Sequence, residues 1–408
     1  MSDQAPVEST TPLAGVRVID LTSVIMGPFA TATLADLGAD VIKVEPPEGD
    51  MSRHIGSRRH DGMSALTLNL QRNKRSIVVD LAHRDGRKVL DDLVREADVL
   101  ITNLRPRSRQ RLGITWDRLS NVNPRLVYCH AQAYGSTTSR QDFPAYDDIV
   151  QAASGMTRLA ERVDGSPRFA PYVVADKVVG LYLTTAILAA LLHQRITGSG
   201  QEIDVPMVDA MISFSLVEHF GGHTFEPPVG DFGWSRVLVP ERVPHRTADG
   251  WICIMPYSDA NWRDFFDIAE RPQLVDDPRY ATVDDRHRHM GQLLSTVSEA
   301  TPSRTTAEWL TLCGARGIPA SDLLDLADAA SDGYVRDQGL VTPRDHPSEG
   351  GYYTTTTPIY LSQTPVTFRR HAPQLGEHTD EVLKEIGYDA DEVARLAREL
   401  VVGRTAEA

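Results

Sequence analysis

Short apolar, β-branched runs recur through the first third of the chain: VRVIDL (16–21), DVIKVE (40–45), SIVVDL (76–81), DVLITNL (98–104) and RLVYCHA (125–131). Helix-like segments lie between them. FATATLADLG ends on Gly38, a suitable residue for the turn that stops a helix, and DGRKVLDDLVREA places Val89, Leu90, Leu93 and Val94 on one face. Strands that are nearly continuous apolar runs, alternating with helices, predict an α/β domain around a parallel sheet.

The pattern changes after residue 170. PYVVADKVVGLYLTTAILAALLHQR (171–195) has no charged residue from Val178 to Leu192 and predicts a buried helix, headed by Asp176 and Lys177. TGSGQEIDVPM predicts a turn into a strand, and VDAMISFSLVEHF a further helix. The Gly- and Pro-rich stretch 221–246 reads as a linker, TADGWICIMP as a hairpin strand with Asp249 and Gly250 in the turn, and 262–269, 287–298 and 306–314 as helices. The expected organisation is a large α/β domain over 1–226, a small α+β domain over 227–322, and a final segment over 323–408.

With 408 residues, 41% of them hydrophobic, the chain has ample material for a sizeable core. A formal charge of -14 argues against a nucleic-acid partner, because phosphate binding needs a basic face. Cys129, Cys253 and Cys313 are far apart with no CxxC spacing, which fits a reducing cytoplasm better than a disulfide framework. The polar opening MSDQAPVESTTP carries no apolar leader core, and the uncharged run 178–192 would rise only about 22 Å against a bilayer core of about 30 Å. Neither secretion nor a membrane span is expected.

No GxGxxG follows a strand and no GxxxxGK[ST] or GxSxG occurs, so a dinucleotide fingerprint, a P-loop and a serine-hydrolase elbow are unsupported. SVIMGPFATATL sets Gly-Pro where a strand turns into a helix, a place that can receive an anion. NLRPRSRQRLG carries Arg105, Arg107, Arg109 and Arg111 just beyond a strand's carboxyl end, where arginines suit phosphate groups and also occur as a solvated basic loop. His219 and His223 have the spacing of a metal pair, but Gly221 and Gly222 lie between them and would break the helix such a pair requires; no metal is expected. Tyr146, Asp147 and Asp148 precede one helix and Asp176 heads another. Each aspartate reads either as a helix cap or as chemistry in a cleft.

Several of these stretches together resemble the class III coenzyme A transferases, the CaiB–BaiF group, which is related to formyl-CoA transferase and α-methylacyl-CoA racemase. PLAGVRVIDLTSVIMGPFATATLADLGADVIKVEPPEGDMSR is similar to the family's opening. NKRSIVVDL, ADVLITNLRPRSRQRLGI, YDDIVQAASGM, AILAALLHQRITGSGQEIDVPMVDA and PQLGEHTDEVLKEIG follow in family order. The resemblance implies a Rossmann-like large domain built from both chain ends, a smaller α+β domain between them, and a homodimer of interlocked rings. It implies an acyl-CoA substrate, a carboxylic acid acceptor and no permanently bound cofactor.

Asp176 matches the family's catalytic aspartate. Asp147 matches a second acidic position near the reacting thioester, with Tyr146 before it. Coenzyme A contacts carry over to Ile25, Met26, Val79, Asp80, Leu81, Ala82, Asn103, Leu104, Arg105, Arg111 and Met207.

The implied chemistry passes through an aspartyl anhydride and an aspartyl-CoA thioester. The alternative on the same fold is α-methylacyl-CoA racemase, whose relatives carry His where this chain has Tyr146. A phenol with a pKa near 10 is a poor proton shuttle at neutral pH. Pro46 stands where some formyl-CoA transferases carry a nucleotide-gripping Arg, Ile25 replaces their Gln and Pro144 their Lys, and their glycine-rich lid has no clear counterpart. These departures argue against oxalate and formyl-CoA as substrates.

Overall fold

The computed structural model describes residues 11–403, so residues 1–10 of the polar opening segment and residues 404–408 lie outside the description. The chain forms two compact units. The first takes the residues up to Ser154, Ala170–Ile212 and everything from Asp332 onward; the second takes Gly155–Phe169 and Ser213–Ser331.

The first unit is built on a sheet of seven strands: β1 (Arg17–Leu21), β2 (Asp40–Glu45), β3 (Lys74–Val79), β4 (Val99–Thr102), β5 (Val127–Gln132), β6 (Gln201–Pro206) and, from the chain's end, Val402–Gly403. The six early strands are parallel in the order β3-β2-β1-β4-β5-β6, and Val402–Gly403 adds to β3 antiparallel. Strand order therefore reverses between β1, whose successor pairs on one side, and β4, which pairs on the other. In open α/β sheets the crevice at such a reversal is where ligands bind.

Strands β1 to β5 are buried on both faces, which is why they read as nearly continuous apolar runs, whereas β6 at the sheet edge is half-buried to exposed. On one face Ile19, Leu21, Ile42, Ile77 and Leu100 pack with Val89, Leu90, Leu93 and Val94 of the helix Arg84–Arg95 and with Val382, Leu383, Val393 and Leu396 of two helices near the chain's end. Near the opposite face lie the first helix, Met26–Asp36, and the long helix Val174–Thr197, which pack on each other. The long helix is apolar and long enough to cross a membrane by length and composition, with a mean hydropathy of 1.6. Here its buried stripe runs through Val179, Leu183, Ile187 and Leu191, inside the first unit.

The second unit has its own core, with Ile252, Ile254, Trp262, Phe265, Phe266, Leu293, Val297 and Trp309 packed between helices and a three-stranded antiparallel sheet of His245–Arg246, Trp251–Ile254 and Ala320–Asp322. Its limits differ from the expected 227–322 in three ways, one being that it runs on to Ser331. It begins at Ser213, inside the continuous helix Met207–His219, a break that no Gly or Pro announces. It also recruits the helix Met156–Asp164, which sequence separation alone assigned to the first domain. The Gly- and Pro-rich stretch 221–246 lies within this unit rather than joining two domains.

Candidate functional site

A cleft of about 320 Å³ opens where the sheet order reverses, lined by the segments that follow β1, β4, β5 and β6 and by the start of the long helix. Ile25, Met26, Asn103, Leu104, Arg105, Tyr146, Asp176 and Met207 all line it.

The segment after β1 is fixed residue by residue. Thr22 donates its N–H to Asp20 Oδ1 at 2.9 Å, and its carbonyl accepts from Lys43 Nζ. Ser23 exchanges two bonds with the Asn103 side chain, N–H to Oδ1 at 3.0 Å and Nδ2 to carbonyl at 2.9 Å. Val24 has φ of 69°, a left-handed conformation that costs a β-branched residue on the order of 1–3 kcal/mol. Its N–H donates to Asp50 Oδ1 at 3.0 Å. Ile25 then heads the first helix with no side-chain cap, leaving first-turn N–H groups available to an anion. A Cβ on Gly27 would meet Thr22 Cβ at 2.2 Å, so only glycine allows this close return of the chain.

Neither aspartate caps its own helix, contrary to the simpler sequence reading. Tyr146 and Val173 are the N-cap residues, and no side-chain cap bond forms at either end. Asp147 reaches across to the other helix instead. Its Oδ1 accepts the Asp176 N–H at 2.9 Å, while Oδ2 accepts from Gln151 Nε2. Gln151 in turn accepts the Ala170 N–H at 2.9 Å, so one buried amide fixes the carboxylate to the approach of the long helix.

Asp176 itself is half-buried, and among the described residues its carboxylate accepts no hydrogen bond. Burial, and next the Asp147 charge, push its pKa up to about 7 against the opposing pull of Lys177. A carboxylate with few hydrogen bonds and a disfavoured charge is a reactive nucleophile or base.

The other predicted residues divide. Val79 is buried in β3, and Asp80, Leu81 and Ala82 form the turn after it, on the same edge of the sheet but two strands from β1, about 10 Å away. Asp80 lines a separate cavity of about 930 Å³ with Val78, His54, His60, Glu349 and Val402. Of the four arginines, Arg105 alone lines the cleft. The segment is a helix, Pro106–Leu112, rather than a loop, and a two-residue spacing on a helix sends successive side chains to opposite sides. Arg109 accordingly turns inward to Gln132 Oε1 at 3.0 Å and Tyr128 Oη at 3.3 Å, Arg107 pairs with Asp142 at 3.2 Å, and Arg111 is exposed in the last turn.

Sequence reading missed the buried ionic layer beneath the cleft. Lys43 bonds Asp50 at 2.8 Å, Lys74 bonds Asp20 at 3.2 Å, and Arg53 bonds Glu45 at 2.7 Å, all nearly inaccessible to water. Both lysines together hold Asp20 far below the usual carboxylate range despite its burial, while desolvation brings Lys74 down to about 8. The signal was present: Asp20, Lys43 and Glu45 are charged residues at alternate positions in otherwise apolar strands, and Asp20 and Lys43 are register partners. Gln151 stands four residues after Asp147, on the same side of its helix.

Residues 13–379 match the family model described as CoA-transferase family III. The chain is 36% identical to succinate–glutarate CoA-transferase of Agrobacterium fabrum, over 92% of this chain and 96% of that one. It is 34% identical to the succinyl-CoA–L-malate CoA-transferase beta subunit of Chloroflexus aurantiacus, over 93% and 95%. Its fold is similar to the crystal structure of a CAIB/BAIF family protein from Brucella suis, with a TM-score of 0.78 and 29% identity over 92% of this chain and 99% of that one. A family match that spans both compact units, with relatives aligned nearly end to end, leaves one conclusion: the chain belongs to the family III CoA-transferases.

Proposed function

We propose that this chain transfers coenzyme A from an acyl-CoA thioester to a carboxylic acid, with Asp176 as the covalent nucleophile. A carboxylate oxygen of Asp176 attacks the thioester carbonyl; the C–S bond breaks, giving a mixed anhydride and CoA thiolate. The thiolate attacks the aspartyl carbonyl, the donor acid leaves as its carboxylate, and an aspartyl-CoA thioester remains. The acceptor carboxylate attacks that thioester, expelling thiolate and forming a second anhydride. The thiolate then takes the acceptor's acyl group and frees Asp176.

The observation that carries this reading is the Asp176 carboxylate in the switch-point cleft, without hydrogen bonds among the described residues and with its charge disfavoured. The uncapped start of the first helix in the same cleft supplies N–H groups for charge that develops on the thioester oxygen. The relatives named above act on succinate, glutarate and malate, all dicarboxylic acids, and we take that class as the first to test. The racemase alternative is not favoured, because the residue before Asp147 is Tyr146, exposed and without the ordinary basicity of a histidine.

A homodimer is part of the proposal. The long helix leaves Leu181, Leu192 and Ile196 54%, 63% and 75% exposed, an apolar surface suited to burial against a second copy. Sedimentation at low micromolar concentration should give about twice the 45.0 kDa chain mass, and a stable active monomer would contradict this part.

The deciding experiment incubates the protein with acyl-CoA alone and adds hydroxylamine. The expected product is a hydroxamate on Asp176, located by peptide mass. A hydroxamate on Asp147 instead, or none while CoA exchange proceeds, would overturn the assignment.

A further inference from the structure

The conformation of Val24 has no local cause. A β-branched residue does not choose a left-handed backbone, so the surroundings must impose it. The nearest agent is Asp50. Its Oδ1 accepts the Val24 N–H at 3.0 Å and the Ser52 N–H at 2.9 Å, and its Oδ2 is paired with Lys43 at 2.8 Å. Asp50 is itself 3% exposed, and its own N–H is held by Glu45 Oε2 at 2.9 Å, so this acceptor is fixed from both sides. Lys43 also reaches the Thr22 carbonyl, two residues before Val24. One ion pair thus grips the segment at two points, and Val24, Ile25 and Met26 run directly from it into the cleft that contains Asp176.

We propose that Asp50 is a positioning residue for the transfer reaction: by holding the Val24 N–H it enforces the left-handed turn that aims the start of the first helix at the acyl-CoA thioester. This rests on the reading of the cleft as the acyl-CoA site. Asp50 touches no reacting atom. Its contribution is to keep Ile25 and Met26 in place before substrate arrives, the kind of preorganisation whose loss lowers turnover without abolishing binding.

The test uses the full-length protein and three variants: Asp50→Ala, Asp50→Asn, and Asp50→Ala combined with Val24→Gly. Glycine adopts the left-handed conformation without strain, so it needs no enforcement. Asp50→Ala should lower kcat/KM for acyl-CoA on the order of a hundredfold, mostly in kcat. Adding Val24→Gly should return about tenfold of that loss, and Asp50→Asn, which keeps an acceptor for the Val24 N–H, should recover all but roughly threefold. An acceptor-independent pattern overturns the proposal: equal losses in the Ala and Asn variants, or no gain from Val24→Gly.

If Asp50→Ala does not fold, the Asn variant decides alone, and a hundredfold loss in folded Asp50→Asn rejects the proposal. Titration calorimetry of wild-type protein with coenzyme A separates the two layers. No binding, with no competition by CoA for acyl-CoA, would remove the cleft reading itself. Normal binding with full turnover in Asp50→Ala would remove only the role of Asp50.

Discussion

The Asp147 carboxylate holds the backbone N–H of Asp176, 2.9 Å away and 29 residues further along the chain. One acidic side chain therefore caps the start of the other's helix and at the same time raises the cost of charging it.

Substitution of Asp147 separates these two effects. Asn in its place keeps an acceptor for the Asp176 N–H but carries no charge, so the Asp176 pKa should fall from about 7. If transfer requires the Asp176 carboxylate, the acid limb of kcat/KM against pH should move to lower pH in Asp147→Asn. An unmoved limb would show that the limb belongs to another group.

Stability should respond to Asp176 in the opposite direction from activity. Its pKa is about 7 when folded and near 3.8 when unfolded, so the folded chain holds this proton more tightly. That contribution is present at low pH, declines as pH rises from about 4 to about 7, and is gone above. Asp176→Asn cannot ionise. At pH 8 it should be more stable than wild type by at most about 4 kcal/mol, less with solvent screening, and melt at a higher temperature; at pH 4 the two should melt at nearly the same temperature. Transfer activity in the same variant should drop by several orders of magnitude.

Gly180 lies one turn beyond Asp176, where the long helix meets the first. A Cβ there would stand 2.8 Å from Phe29 Cδ1 and 3.0 Å from the Met26 carbonyl oxygen. Gly180→Ala should force the two helices apart at the cleft, lowering stability by roughly 1–3 kcal/mol and reducing transfer as well. Calorimetric melting with a parallel rate measurement checks both.

The arginines offer a paired comparison. Arg105 lines the cleft and Arg111 does not, so Arg105→Ala should raise the KM for acyl-CoA on the order of tenfold, with Arg111→Ala the smaller effect. A larger rise for Arg111 would mean that the nucleotide end of the substrate lies along the far side of the helix Pro106–Leu112.

What the sequence made legible was local. The strand runs β1 to β5 stand out because burial on both faces leaves them largely apolar, the long helix stands out by its uncharged length although one side of it is exposed, and β2 was bounded to the residue. Strand order was invisible, since nothing in Val18 or Val99 says that they are neighbours; only pairing does. The four arginines looked equivalent until the helix turned Arg109 inward. Asp147 and Asp176 looked like two separate caps because a cap that serves a different helix leaves no spacing signal. Asp50 was unremarked for the same reason: its partner Val24 lies 26 residues away, and what it does depends on a backbone conformation that no residue preference announces.

The edge strand Val402–Gly403 also sets a schedule for synthesis. β3 waits for it, with Val402 opposite Val79 and the Asp80 N–H bonded to the Val401 carbonyl at 2.8 Å. The helices Thr379–Glu385 and Ala390–Arg398 that cover one sheet face are nearly as late. On a ribosome the unit that starts first is therefore finished last, while every segment of the second unit has emerged by Ser331. Through that interval Ile42, Ile77 and Val79 lack part of their cover and β3 keeps an open edge, so the nascent chain carries an aggregation-prone surface until its last strand is made.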